Sequence, residues 1–312
     1  MEVKATPKPE FDIALARIPR EYLEKLQNQD LNIDINGSTI STRLDGEHFV
    51  GAGETAIVLK GRTDSEKTVA VKIPFPGLEF KNNTVKQARI LNEFESEANL
   101  LAACRQDNHP AIPVFYGEGK IAIAGQTEIP VIVRELFPTT LENANLDLNG
   151  IKRMAEEVAS GLEYLSATHG KIVTDLNPDN INQREDGSIV LSDIGLSATI
   201  GGAGPGKPKE EIGYDEIYSA PELAKGTYEE LVKNVSPRNE VYSLALIIYH
   251  KLGGRIPTVM DVQMGVKDVN LIKEISGISA ETLAVLKKGT SVKPEDRYAS
   301  PGEFVEAFEK SL

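Results

Sequence analysis

Residues 171–195 read KIVTDLNPDNINQREDGSIVLSDIG, and three oxygen-bearing side chains within them decide the reading of the whole chain. Asp186-Gly187 is a strong two-residue hairpin signal, and Ile189, Val190 and Leu191 enter a second strand behind it. A hairpin brings its ends together, so Asp175, Asn180 and Asp193 fall at one end of one supersecondary unit. Two carboxylates and a carboxamide there supply oxygen ligands for a hard divalent cation and an acceptor for a proton. That is the chemistry of phosphoryl transfer.

Upstream of this stretch the chain is rich in strand patterns. Leu31, Ile33 and Ile35 alternate with polar residues before the turn signal Asn36-Gly37. Residues 49–60, FVGAGETAIVLK, place two short apolar strands around a glycine-containing turn, where Gly51 and Gly53 let the backbone approach a bound group and offer N–H donors to phosphate. Residues 68–72, TVAVK, form a buried strand that ends in Lys72. Val85 to Cys104 has helical periodicity, with Glu97 at the edge of its apolar face, where Lys72 is a suitable partner. Strands over 113–117, 121–124 and 129–135 complete an antiparallel sheet, and Phe137-Pro138-Thr139-Thr140 breaks the pattern. Residues 1–9 form a lead-in, and 11–26 carry helical spacing divided by Pro19.

Downstream the character is helical. Ile151 to Leu165 is amphipathic, Val241 to Leu252 is apolar nearly all round, and further helices are expected over 270–276, 279–288 and 301–311. Residues 201–208, GGAGPGKP, have the composition of a loop. The expected organisation is an extension with a short helix and strand over 1–46, a β-rich lobe over 47–137 and a mainly helical lobe over 138–312.

The bulk composition narrows the partners. With a net charge of −13, the chain lacks the overall basic balance that nucleic acid or an anionic membrane selects. Cys104 is the single cysteine, so no intramolecular disulfide forms, and a reducing cytoplasmic setting is expected. No apolar run is long enough for membrane insertion, and the four histidines and one cysteine make no zinc-spaced cluster.

In order, the chain carries a glycine-rich hairpin, a strand lysine, a helix glutamate, a hinge, Asp175/Asn180 and Asp193-Ile-Gly195. From near Glu47 to the C-terminus this order resembles a divergent member of the eukaryotic-type (Hanks-type) Ser/Thr protein kinase family. Val69-Ala-Val-Lys72 resembles V-A-I-K, Asp175-Leu-Asn-Pro-Asp-Asn180 resembles D-L-K-P-E-N, Asp193-Ile-Gly195 resembles D-F-G, and Ala220-Pro-Glu222 is A-P-E itself. Glu240-Val-Tyr-Ser-Leu244 resembles the D-V-Y-S-L opening of a buried helix, and Lys293-Pro-Glu-Asp-Arg297 the segment whose arginine pairs with the A-P-E glutamate.

The resemblance implies an α+β, two-lobed kinase fold and an ATP- and Mg²⁺-dependent (or Mn²⁺-dependent) phosphotransferase acting on Ser/Thr of a protein. Lys72 would hold phosphates and be placed by Glu97, Asn180 and Asp193 would hold Mg²⁺, and Asp175 would take the acceptor's proton. Gly51 and Gly53 would cover the phosphates, Val58 and Ala70 would wall the adenine, and the backbone of Glu135 and Phe137 would form the hinge. Two alternatives carry different expectations: a pseudokinase that binds nucleotide or docks a protein partner, and a small-molecule kinase.

Several positions depart from the family pattern. H-R-D is here Val173-Thr174-Asp175, and Thr174 removes the cation that would receive an activation-loop phosphate. Asn177 stands where the family has a lysine, and Asp215 where it has that lysine's threonine partner. Arg134 falls at the gatekeeper position, where it either points to solvent or reaches Glu97 or Asp193, and Asn182 falls beneath the adenine. The chain hydroxyls Ser197, Thr199, Tyr214, Tyr218 and Ser219 lie between Asp193 and Glu222.

Overall fold

The structure, a computed structural model, describes residues 30–35, 37–53, 55–74, 84–123, 127–200, 214–224, 228–263 and 271–312. The helix expected over 11–26, Asn36 of the first turn and the loop at 201–208 lie outside them. The chain divides into two compact units, with the change from one to the other between Leu136 and Phe137, and with His109–Ile112 belonging to the second.

The first unit is a seven-stranded antiparallel sheet. Its strands are β1 (Asp30–Ile35), β2 (Ser38–Arg43), β3 (Phe49–Ala52), β4 (Ala56–Thr63), β5 (Thr68–Pro74), β6 (Phe115–Ile123) and β7 (Thr127–Arg134). Their order is β1-β2-β4-β5-β7-β6, with β3 paired to β4. Alternation decides the two faces. Ile33, Ile57, Leu59, Val69, Val71, Val131 and Val133 form one apolar cluster. The register pairs Val58 with Lys72, Ala70 with Arg134 and Lys72 with Ile132, so these residues share the other face. Helix α1 (Thr84–Cys104) packs in this unit and buries Ile90, Phe94, Leu101 and Cys104.

In the second unit, α2 (Leu148–His169) opens at Asp147, whose side chain accepts from the Gly150 N–H at 2.7 Å, and ends at Gly170, with φ 62°. Helix α3 spans Tyr228–Asn234. Helix α4 (Pro237–Lys251) is capped by Ser236 and Asn239 and is buried from Asn239 to Tyr249, as its unbroken apolar pattern requires. Helices α5 (Val259–Gln263), α6 (Ala280–Gly289) and α7 (Pro301–Lys310) complete the unit. The central hairpin is β10 (Ile181–Gln183) with β11 (Ile189–Leu191), and Gly187 takes φ +85° in its turn. A Cβ on Gly161 would lie 2.9 Å from both Ala111 and Leu191, so glycine lets α2 approach β11 closely.

Four details differ from the sequence expectation. The strands expected over 113–117 and 121–124 are one strand, β6, with a register shift between Phe115 and Gly117. Glycine hides the continuity: a Cβ on Gly119 would lie 2.5 Å from Ile33, so its absence admits β1 against β6. Thr139–Thr140 forms a short strand, β8, paired to β10. Lys171–Val173 (β9) pairs with Ser197–Thr199 (β12) in a two-stranded ribbon. Residues 271–276 are not helical; Leu271 and Ile272 are buried in irregular chain, and the Lys273 N–H donates to the Tyr249 hydroxyl at 3.1 Å.

Candidate active site

The first unit places Lys72 and Glu97 together. The Lys72 ammonium donates to Glu97 Oε2 at 2.6 Å, and both residues are buried, at 7% and 2% exposed. Strand β5 sets the lysine on the sheet face away from the main apolar cluster, and α1 brings the glutamate to it. Two charges are desolvated here, an arrangement that is poor at stabilising a fold and good at holding a cation in one place.

The glycine-rich turn sits on neighbouring strands. Gly51 pairs with Val58, and the Gly53 N–H donates to the Ala56 carbonyl at 2.9 Å. A Cβ at either glycine would meet nothing within 4 Å. Packing therefore does not demand glycine, and the backbone there is open to close approach. Val58 is half-buried and Ala70 buried on the Lys72 face. Arg134, also buried at 8% exposed, directs Nη1 to the Glu135 carbonyl at 3.4 Å. Its pairing with Ala70 fixes the register that leads into the hinge.

In the second unit the hairpin does what its sequence implies. Asp175 leaves β9, Asn180 ends a 3-10 turn (Pro178–Asn180), and Asp193 follows β11. Asn180 Nδ2 donates to the Asp175 carbonyl at 2.9 Å and to Asp175 Oδ2 at 3.0 Å. Asn177 Nδ2 reaches the same carbonyl and Oδ1, each at 3.3 Å. Burial, then the neighbouring Asp193 and Asp215 carboxylates, push Asp175 up to about 7, while the Asn180 and Asn177 donors pull the other way.

This donor set fits a divalent cation. With its amide nitrogen committed to Asp175, Asn180 turns Oδ1 away from that carboxylate, as a metal ligand must. Among the described residues no three His, Cys, Asp or Glu side chains are grouped to hold a metal unaided. Mg²⁺ itself takes one or two protein oxygens and completes its shell with water and phosphate.

The departures acquire partners. Thr174 is buried and donates to the Leu196 carbonyl at 2.9 Å, so its hydroxyl closes the β9–β12 ribbon. Asp215 Oδ1 accepts from the Ile217 and Tyr218 N–H groups at 2.7 and 2.6 Å, and so caps its own turn. The Ser219 hydroxyl, fully buried, accepts from Asp215 N and donates to the Thr174 carbonyl, both at 2.9 Å. Asn182 is buried and bonded through Nδ2 to Ser192 Oγ. Val173 and Ile194 are both buried.

Sequence reasoning did not single out Ser219 as the tie between this loop and the Asp175 turn; a serine in a loop carries no local signal of burial. The pairing implied for Arg297 is present: its two terminal nitrogens meet the two Glu222 oxygens at 2.7 and 2.9 Å. His109 has no catalytic geometry. Its Nδ1 accepts from the Ala111 N–H at 3.3 Å, which places the ring proton on Nε2, facing Ser160 Oγ at 3.3 Å.

Comparison with known proteins agrees with this geometry. The model of the protein kinase domain matches residues 44–307. The serine/threonine-protein kinase PknB of Mycobacterium tuberculosis is 27% identical over 281 residues, which is 85% of this chain and 42% of that protein. PknL of the same organism is 24% identical over 295 residues, 87% of this chain and 68% of that protein. The probable serine/threonine-protein kinase MARK-C of Dictyostelium discoideum is 27% identical over 168 residues, 52% of this chain and 20% of that protein. The chain thus spans less than half the length of PknB. With a matched region that runs from just before β3 into the last helix, the chain belongs to the protein kinase domain family.

Proposed function

We propose that the chain is an ATP- and Mg²⁺-dependent phosphotransferase that phosphorylates Ser or Thr hydroxyls of proteins. The observation that carries this reading is the buried Lys72–Glu97 pair at 2.6 Å. A buried ion pair is retained at a cost to stability, and a function that needs a fixed cation explains it. Relatives named as serine/threonine-protein kinases support the choice of acceptor.

Lys72, fixed by Glu97, binds phosphate oxygens of ATP, and Gly51 and Gly53, bare of side chains, let the backbone come close to them. Val58 and Ala70 flank the adenine, and the backbone of Glu135 and Phe137 binds its edge. Asn180 Oδ1 and the Asp193 carboxylate hold the metal. When bound, Mg²⁺ or Mn²⁺ neutralises charge on the phosphates. Asp175 orients the acceptor hydroxyl and takes its proton, and its raised affinity for protons suits that role. The single cysteine suits a reducing cytoplasm, and no helix among the described residues is long and apolar enough to cross a membrane.

Asn177 in place of lysine favours a second reading, a pseudokinase that binds nucleotide and docks a partner. Incubation with γ-labelled ATP and a cell lysate, followed by phosphoamino-acid analysis, separates the readings. Label on protein serine or threonine is expected. Nucleotide binding without transfer selects the pseudokinase, and label only in small molecules selects a small-molecule kinase.

A further inference from the structure

Asn177 stands where a cation is expected, yet its side chain is fully engaged. Its Oδ1 accepts from the Asp179 N–H at 3.0 Å and the Asn180 N–H at 3.1 Å, which caps the 3-10 turn. Those two donors settle which end of the amide is oxygen, so Nδ2 must face the other way. There it meets Asp175 Oδ1 and the Asp175 carbonyl, each at 3.3 Å.

Asn180 makes the same pair of contacts from its own side, to Asp175 Oδ2 and the same carbonyl. Each oxygen of the carboxylate thereby faces one amide, and the carbonyl behind it faces both. Two rotations are removed: the carboxylate's about χ2 and the backbone's at the turn. The lysine that the family pattern places here would contribute charge; the asparagine contributes orientation.

We propose that Asn177 is a positioning residue for Asp175, one jaw of a two-amide clamp that aims the carboxylate at the acceptor hydroxyl. Nothing in the comparisons assigns it this role. The inference rests on the reading of Asp175 as the acceptor base, so the test carries a control for that reading.

Initial rates of γ-phosphate transfer are measured for the wild-type chain, Asp175→Asn, Asn177→Asp and Asn177→Ser, with KM for ATP and melting temperature for each. Asp and Ser both keep an oxygen for the Asp179 and Asn180 N–H groups, so the cap survives. Asp carries no donor, and Ser has no second polar atom to set on Asp175 while its single oxygen holds the cap. Asp adds a like charge, and Ser adds none, which separates a lost donor from a new repulsion.

The expected result is a fall in kcat on the order of tenfold or more in both Asn177 variants, a modest share of what general-base catalysis supplies. KM for ATP stays within about twofold and the melting temperature is unchanged, the split that marks an interaction made only in the transition state. Wild-type kcat in either Asn177 variant overturns the inference. So does a fall in kcat that is matched by a rise in KM for ATP and a lower melting temperature, which would mark a merely structural role. Transfer retained in Asp175→Asn, or absent from the wild type, overturns the base assignment itself and the inference with it.

Discussion

Glu240 is wholly buried in helix α4, where Oε1 accepts from the Val173 N–H at 2.8 Å and Oε2 has no hydrogen-bond partner among the described residues. Burial raises its proton affinity well above the ordinary value of 4.5, which favours the neutral acid in the folded state. The folded chain therefore binds a proton that the unfolded chain releases. This contribution to stability is complete below the unfolded pKa and is lost as pH rises above it. Glu240→Gln keeps the acceptor for Val173 and removes the titration. Its melting temperature is expected to converge with that of the wild type near pH 4.5 and to exceed it increasingly toward pH 7. A constant difference across that range contradicts this. Arg134 is the second residue with a separate consequence. Its Nη1 lies on the Glu135 carbonyl, a group the hinge would offer to adenine. Arg134→Met is expected to lower the Kd for ATP, read by calorimetry, and an unchanged Kd counts against the hinge assignment.

Among the elements, the turn residues and motif side chains were legible and the short strands were not. Asp186-Gly187 marks its hairpin because Gly187 needs φ +85°, a local demand that a sequence displays. The β9–β12 ribbon shows no such mark. Its strands are three residues each, too short for a period, and are fixed by the Thr174 hydroxyl on Leu196 and by an apolar patch of Ile172, Ala198, Leu223 and Val235. Glycine misled the reading of β6, where Gly117 and Gly119 resemble a break and instead permit a bulge and the approach of β1. Residues 271–276 misled it in the other direction: Leu271 and Ile272 are buried side by side, without any helix. The loop of Ser219 belongs at this scale. Ser219→Ala leaves the Thr174 carbonyl without that donor and Asp215 N without that acceptor, and is expected to cost about 1–3 kcal/mol. Urea denaturation checks it, and a midpoint equal to the wild type's contradicts the role given to Ser219.

Over the whole molecule, residues far apart in sequence close each unit. In the second, Arg297 and Glu222 form a two-point ion pair, with Asn239 Nδ2 also on Glu222 at 2.5 Å and the Arg297 guanidinium over the Tyr242 ring at 4.9 Å. The resemblance to the kinase pattern made this pair legible 75 residues apart, which periodicity alone cannot do. Arg297→Met leaves the partly buried Glu222 carboxylate without its cation and is expected to destabilise by about 3 kcal/mol, the low end for breaking a buried pair, seen as a fall in melting temperature. A shift within error would show the pair to be dispensable. In the first unit the comparable feature is Lys72–Glu97, and under the proposed function its consequence falls on catalysis, as the pair that would hold a cation for phosphate. Under the proposed function, the residues that the opening stretch brings to one end of a hairpin hold a metal for phosphoryl transfer. The most direct measurement is the rate of γ-phosphate transfer to protein in Mg²⁺ or Mn²⁺, wild type beside Asp193→Ala. Label on wild-type reactions that is lost in the variant, with the variant still folded, is the predicted result; equal label from both would contradict the account.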